Sequence, residues 1–138
     1  WDWSEGCVCY ALVHRVIWTA FGWGLHLGTE TNPRSLSNFP MQANGAEMLR
    51  LAMIYLNQEG VKVLAPVHDA LLIEAPLSDI GGASKRAQGL MAKASGVVLG
   101  GFELKTEAEL ILYPERYCDE ERGRAFWERV LRTLKRVG

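Results

Sequence analysis

Excess charge of one sign is the first thing this sequence lacks. Fifteen Lys and Arg stand against sixteen Asp and Glu in 138 residues, for a formal net charge of −1. A module that clings to nucleic acid by charge alone carries a large basic surplus, so that class is excluded, whereas a local polar or basic groove is not. Cysteine is scarce as well: Cys7, Cys9 and Cys118 are the three present. An odd, small number in a chain of this size does not make a disulfide framework, and the expected compartment is the cytoplasm. Cys7-x-Cys9 is at most half a zinc pattern, because no second Cys/His pair follows at metal spacing. Two half-buried helix cysteines are the expectation. A long apolar run is also missing. The stretch around Val16–Ala20 is preceded by His14 and Arg15 and is too short to cross a bilayer, and no signal peptide is visible. No initiator methionine stands at the front. A chain opening on Trp1 is expected of a fragment, a processed product or a front-trimmed chain.

What is present suffices for one domain over residues 1–138. Apolar residues make up 49% of the chain and charged ones 22%, in mixed sign, which argues for a packed core and against disorder. Val8, Cys9, Leu12, Val13, Val16 and Ile17 recur at helical spacing, predicting a helix over 5–20. Gly22 and Gly24 with Trp23, Leu25 and Leu27 suggest a short hairpin, and the polar stretch 29–38 suggests a loop. Residues 42–59 predict the clearest helix, with Met48, Leu49, Ala52, Met53 and Leu56 on its stripe. Asn44 and Glu47 resemble a capping box, and Gly60 suits the position just past the end. Ser78 is the expected cap of a helix to about Ser95. Strict alternation from Phe102 to Leu110 predicts a half-exposed strand. After Pro114 a last helix carries Phe126, Trp127, Val130, Leu131 and Leu134. The order helix, hairpin, helix, hairpin, helix, strand, helix is an α+β layer: an antiparallel sheet backed by helices.

The residues that invite chemistry lie at 61–76, VKVLAPVHDALLIEAP. Two apolar runs meet at His68-Asp69, where a tight hairpin normally carries glycine or asparagine. Pro66 within the first run implies that its missing amide is not needed by a neighbour. A carboxylate on such a turn is fixed by the ladder on both sides yet accessible, which suits a hard divalent cation with oxygen ligands. The plainer reading is a carboxylate bonded to its own turn backbone beside an exposed imidazole.

The wider pattern resembles a known family. Asn38-Phe39-Pro40-Met41-Gln42, a helix, and then Val67-His68-Asp69 are similar to the C-terminal palm region of family A DNA polymerases, in which Asn-x-Pro-x-Gln opens a long helix and a Val-His-Asp-Glu hairpin presents a catalytic aspartate. Arg34 stands where the family keeps an arginine. Ile17-Trp18-Thr19-Ala20-Phe21-Gly22 resembles the family's Tyr-Val-x-Thr-x-x-Gly hairpin. Tyr113-Pro-Glu-Arg-Tyr117-Cys-Asp-Glu-Glu-Arg122-Gly resembles the tail of phage- and plasmid-type relatives. The resemblance covers roughly residues 10–125.

The resemblance implies that Asp69 is a catalytic, Mg²⁺-holding aspartate of a two-metal nucleotidyl-transfer site. It implies that His68 touches the primer end, and that Arg34, Asn38 and Gln42 contact duplex DNA on its minor-groove side. Partners would be primer-template DNA, deoxynucleoside triphosphates and an upstream polymerase part, and no membrane. Read alone, Gln42 is equally a helix-start residue and Arg34 a solvated loop charge. Ala70 replaces the family's glutamate, and Trp23 and Gly24 replace two arginines, leaving Trp23 to stack on a base or to pack. The family's first catalytic aspartate and its fingers helix have no counterpart here; Asp2 lacks the Ile-Glu that should follow. The expected activity is therefore that of a DNA polymerase fragment or subunit, inactive without its upstream part. Two rival readings are a non-catalytic degenerate palm that binds nucleic acid or protein, and a hydrolase using His68 and Asp69 as an acid–base pair.

Overall fold

The computed structural model describes residues 2–117, 119 and 121–137. Among the described residues it is α+β, with four helices and two small antiparallel sheets. Two compact units divide the chain, Trp1–Ala108 and Glu109–Gly138.

In the first unit, helix α1 spans Asp2–His14. It ends earlier than its apolar spacing predicts, because Arg15 takes a left-handed φ of +58° and Val16–Trp18 becomes strand β1. β-branched Val16 and Ile17 fit a pleated surface better than a helix. The inner side of α1 is Cys7, Val8 and Ala11, so Val8 of the expected stripe packs inward whereas Cys9, Leu12 and Val13 are exposed. Strand β2, Gly24–His26, pairs antiparallel with β1, Trp18 opposite Gly24. The Trp18 ring lies over Gly24, where a Cβ would come within 2.5–2.9 Å of ring carbons, so any larger residue at this cross-strand position would displace the ring. Ala11, Ile17 and Leu36 form the small core of this corner, with Leu25, Leu27 and Phe39 against it.

Helix α2 runs from Pro33 to Gln58. The stretch expected as loop up to residue 38 is its first turns. Asn32 is the N-cap, its side chain accepting the Arg34 N–H at 2.9 Å, and Pro33 fills the first helical position, where no amide is required. Pro40 sits inside the helix and is buried. The end follows the Schellman pattern: Gly60 at φ +69°, Val61 N–H on the Leu56 carbonyl at 2.9 Å and Gly60 N–H on that of Asn57 at 3.2 Å. The helix buries different sides along its length. Leu36 packs toward α1 and the first hairpin, whereas Leu56 packs toward the second hairpin and α3.

Strands β3, Lys62–Val67, and β4, Ala70–Glu74, form the second hairpin, with an irregularity at Leu64 and Val67 opposite Ala70. Pro66 lies within β3, opposite Leu71. Val63, Leu71 and Ile73 turn inward onto Leu56, Val61, Ala87 and Leu90, while Leu64 and Leu72 stay exposed. Helix α3 spans Ile80–Val98; its N-cap is Asp79, one residue beyond the expected Ser78. Residues 102–110 are not a strand. Their backbone meets side chains of α3 instead: Leu104 N–H donates to Ser95 Oγ at 2.8 Å, and Gln88 Nε2 donates to the Thr106 carbonyl at 2.7 Å. Alternation marks a surface that fits a sheet, but a strand also needs a neighbouring strand. In the second unit, helix α4 spans Gly123–Val137, with Phe126, Trp127 and Leu134 exposed. No helix among the described residues is long and apolar enough to cross a membrane.

Candidate functional site

The β3–β4 ladder closes on a two-residue tip, His68-Asp69. The turn rule that the sequence breaks is met by His68, which takes a φ of +54°. A non-glycine residue there costs about 1–2 kcal/mol. Both tip residues are exposed. Neither side chain makes a hydrogen bond or ion pair among the described residues, so Asp69 is not spent on its own turn backbone and no bond joins it to His68. The pairing needed for an acid–base dyad is absent from this geometry. Asp69 is a presented carboxylate.

Arg34, Asn38 and Gln42 are brought together on α2. Spacings of four residues keep them within roughly 80° around the helix axis, and all three are exposed. Met41 shares that face and is 69% exposed. Arg34 and Asn38 lie within the helix rather than in a loop, and Gln42 is in its third turn rather than at its start. The stripe contains no acidic residue. The charged residues of α2 are Arg34, Glu47 and Arg50, and Glu47 is buried at 2% exposure.

Glu47 is the residue that sequence reasoning assigned to the wrong task. It lies mid-helix, and so does Asn44, so the expected capping box does not exist. Both side chains instead hold the loop between β1 and β2. Glu47 Oε1 accepts the Thr19 hydroxyl at 2.5 Å, and its Oε2 accepts the Phe21 N–H at 3.1 Å. Asn44 Oδ1 accepts the Ala20 N–H at 2.9 Å. Thr19 Oγ1 accepts the Trp23 N–H at 2.9 Å, and Thr19 N–H donates to the Trp23 carbonyl at 2.9 Å. Charged-acceptor hydrogen bonds in a buried setting are among the stronger ones available. A Thr in a turn two to four residues before Phe21, Gly22 and Trp23 was the available signal, but its partner is 28 positions away.

The described residues contain no group of three His, Cys, Asp or Glu able to hold a metal ion. Cys7 is half-buried, Cys9 is exposed, and both are free thiols, while Cys118 lies outside the described residues. A divalent cation such as Mg²⁺ wants several oxygen ligands in defined geometry. Asp69 brings one carboxylate, and Ala70 beside it brings none. The donor set of the described residues does not by itself make a metal site.

No protein-family model matches the chain. Over 52 residues, 35% of the chain, it is 42% identical to DNA polymerase I of Deinococcus radiodurans, of which that stretch is 5%. In three dimensions it resembles the POL domain of Pol1 from M. smegmatis, solved in complex with DNA primer-template and dNTP, with a TM-score of 0.59 and 24% identity. That likeness covers 67% of this chain and 19% of the solved one. The chain thus spans a small part of the length of both proteins. Its fold is that of part of a polymerase POL domain, and a segment of it is similar in sequence to DNA polymerase I.

Proposed function

We propose that the chain is the C-terminal palm part of a family A DNA polymerase of phage or plasmid type, a component of template-directed DNA synthesis in the cytoplasm. The observation that carries this reading is the β3–β4 tip, where a strained two-residue turn holds Asp69 in the open with no internal partner. A carboxylate that stabilises nothing in its own fold is free to serve an external cation. In this reading Asp69 contributes one carboxylate to a Mg²⁺ site whose other ligands come from the upstream part, which also carries the fingers. His68, beside it, contacts the primer end. Arg34, Asn38 and Gln42 face the minor groove of primer-template DNA, where acceptors occupy similar places in every base pair and polar donors sense pair shape without reading sequence. Deoxynucleoside triphosphates are the second substrate.

Primer extension by the chain together with its upstream part tests the proposal. Synthesis is expected from the pair and not from the chain alone, and Asp69→Asn is expected to abolish it while leaving the fold intact. Full synthesis by the Asp69→Asn pair would refute the assignment. One observation favours a second reading, a degenerate palm that binds without catalysis: Asp69 is a lone carboxylate, with Ala70 where another acid would stand. That reading expects salt-dependent DNA binding that Asp69→Asn does not weaken, and no synthesis from any pairing.

A further inference from the structure

The loop Thr19–Trp23 has a property that the roles proposed above do not use. The backbone N–H of each of its five residues is bonded, within the loop or to Asn44 and Glu47 of α2. Here the two aromatic side chains stay out: Phe21 is 52% exposed and Trp23 is 64% exposed. The packing reading of Trp23 therefore does not describe it. Its ring instead has the Arg50 guanidinium over one face, 5.1 Å from the centroid. A ring so exposed, with a cation on one face, offers the other face to a planar partner.

The charge around it selects the partner. Across residues 15–58 the charged groups are Arg15, Glu30, Arg34, Glu47 and Arg50, and Glu47 is buried in the clamp. The region is locally basic in a chain whose net charge is −1. An aromatic face beside an arginine, on a backbone that loses no freedom on binding, is the arrangement that stacks an unpaired base and neutralises its phosphate.

We infer that Trp23, backed by Arg50, is a stacking site for an unpaired nucleobase of single-stranded DNA. The inference rests on the polymerase reading for its choice of nucleic acid, not for its geometry. It replaces charge with stacking at the position where the resembling family carries arginines.

The test is binding of a short fluorescein-labelled single-stranded oligonucleotide to the full chain, followed by anisotropy across a salt series without nucleotide or added metal. Base–aromatic stacking predicts that Trp23→Ala weakens binding by roughly 5- to 150-fold. Trp23→Phe should retain most of the affinity. The two variants should share the wild-type salt slope, because stacking releases no counterions. Arg50→Ala should weaken binding and reduce the slope of log K against log salt by about 0.7, the value for one lost phosphate contact on a single strand. A merely structural role for Trp23 would alter the urea midpoint and leave this division between slope and affinity unmade. Unchanged binding in Trp23→Ala, no binding by the wild-type chain, or equal losses for Ala and Phe would each overturn the inference. The two proposals fail separately. Indifference to Trp23 with synthesis still lost in Asp69→Asn removes only the stacking site; dependence on Trp23 with no synthesis from any pairing removes only the polymerase assignment.

Discussion

The two hairpins solve the same problem in opposite ways. Each must hold a tip in space. The β1–β2 pair has a short ladder and a five-residue loop whose geometry is borrowed from a neighbouring helix: Glu47 and Asn44 reach across to Thr19, Ala20 and Phe21. The β3–β4 pair has a longer ladder and a two-residue tip that borrows nothing, with His68 left in a strained backbone and Asp69 unbonded. The first tip is built from tertiary contacts and presents aromatics. The second is built from local pairing and presents a carboxylate. A polar side chain therefore has different meanings in the two places: in the first it supports the fold, and in the second it is available.

That contrast makes graded expectations. The largest concerns the clamp. Glu47→Ala leaves a buried hydroxyl and a part-buried N–H without their acceptor and should cost about 2–3 kcal/mol of stability, read as a lower urea midpoint. Asp69→Asn, at the other tip, should stay within about 0.5 kcal/mol of wild type because no internal contact is lost. Comparable losses at both tips would erase the distinction. The next is smaller and of opposite sign. His68→Gly relieves about 1–2 kcal/mol of left-handed strain but adds about 0.5–1 kcal/mol of unfolded-state freedom, so a net gain of roughly 0.5 kcal/mol is expected in the same measurement. A loss would mean that His68 makes a stabilising contact. The smallest concerns an ion pair outside both tips. The Arg86 guanidinium, 2.6 Å from Asp79, holds that carboxyl below its usual range by hydrogen bonding and by its charge. A lowered folded value means stability that is fully present above the unfolded value and lost as pH falls toward the folded one. The difference in urea midpoint between wild type and Asp79→Asn should accordingly be constant near neutrality and fade below about pH 4. Both groups are exposed, so it should also shrink with added salt.

How much of this was legible in the sequence follows the same division. Features set by near neighbours were readable: the α+β class, the β3–β4 hairpin with its tip at His68-Asp69, Gly60 beyond the end of α2, and the last helix. Features set by distant partners were not. Val16 and Ile17 continue a helical spacing but pair with residues 25 and 26 instead. Asn44 and Glu47 have the spacing of a cap, yet their bonds go to a loop more than twenty positions back. Residues 102–110 alternate like a strand without a strand to pair with. The early start of α2 had a readable signal that the polar loop reading passed over, namely Asn32 followed by Pro33.

Helix α2 touches both hairpins, and it does so with different sides: Leu36 and Glu47 in one half, Leu56 in the other. One added or deleted residue between Glu47 and Ala52 would turn one half against the other by about 100° and slide it by about 1.5 Å. Neither partner could follow, since each is seated on its own half. The length of this short stretch is therefore constrained by both hairpins at once, whatever side chains it carries.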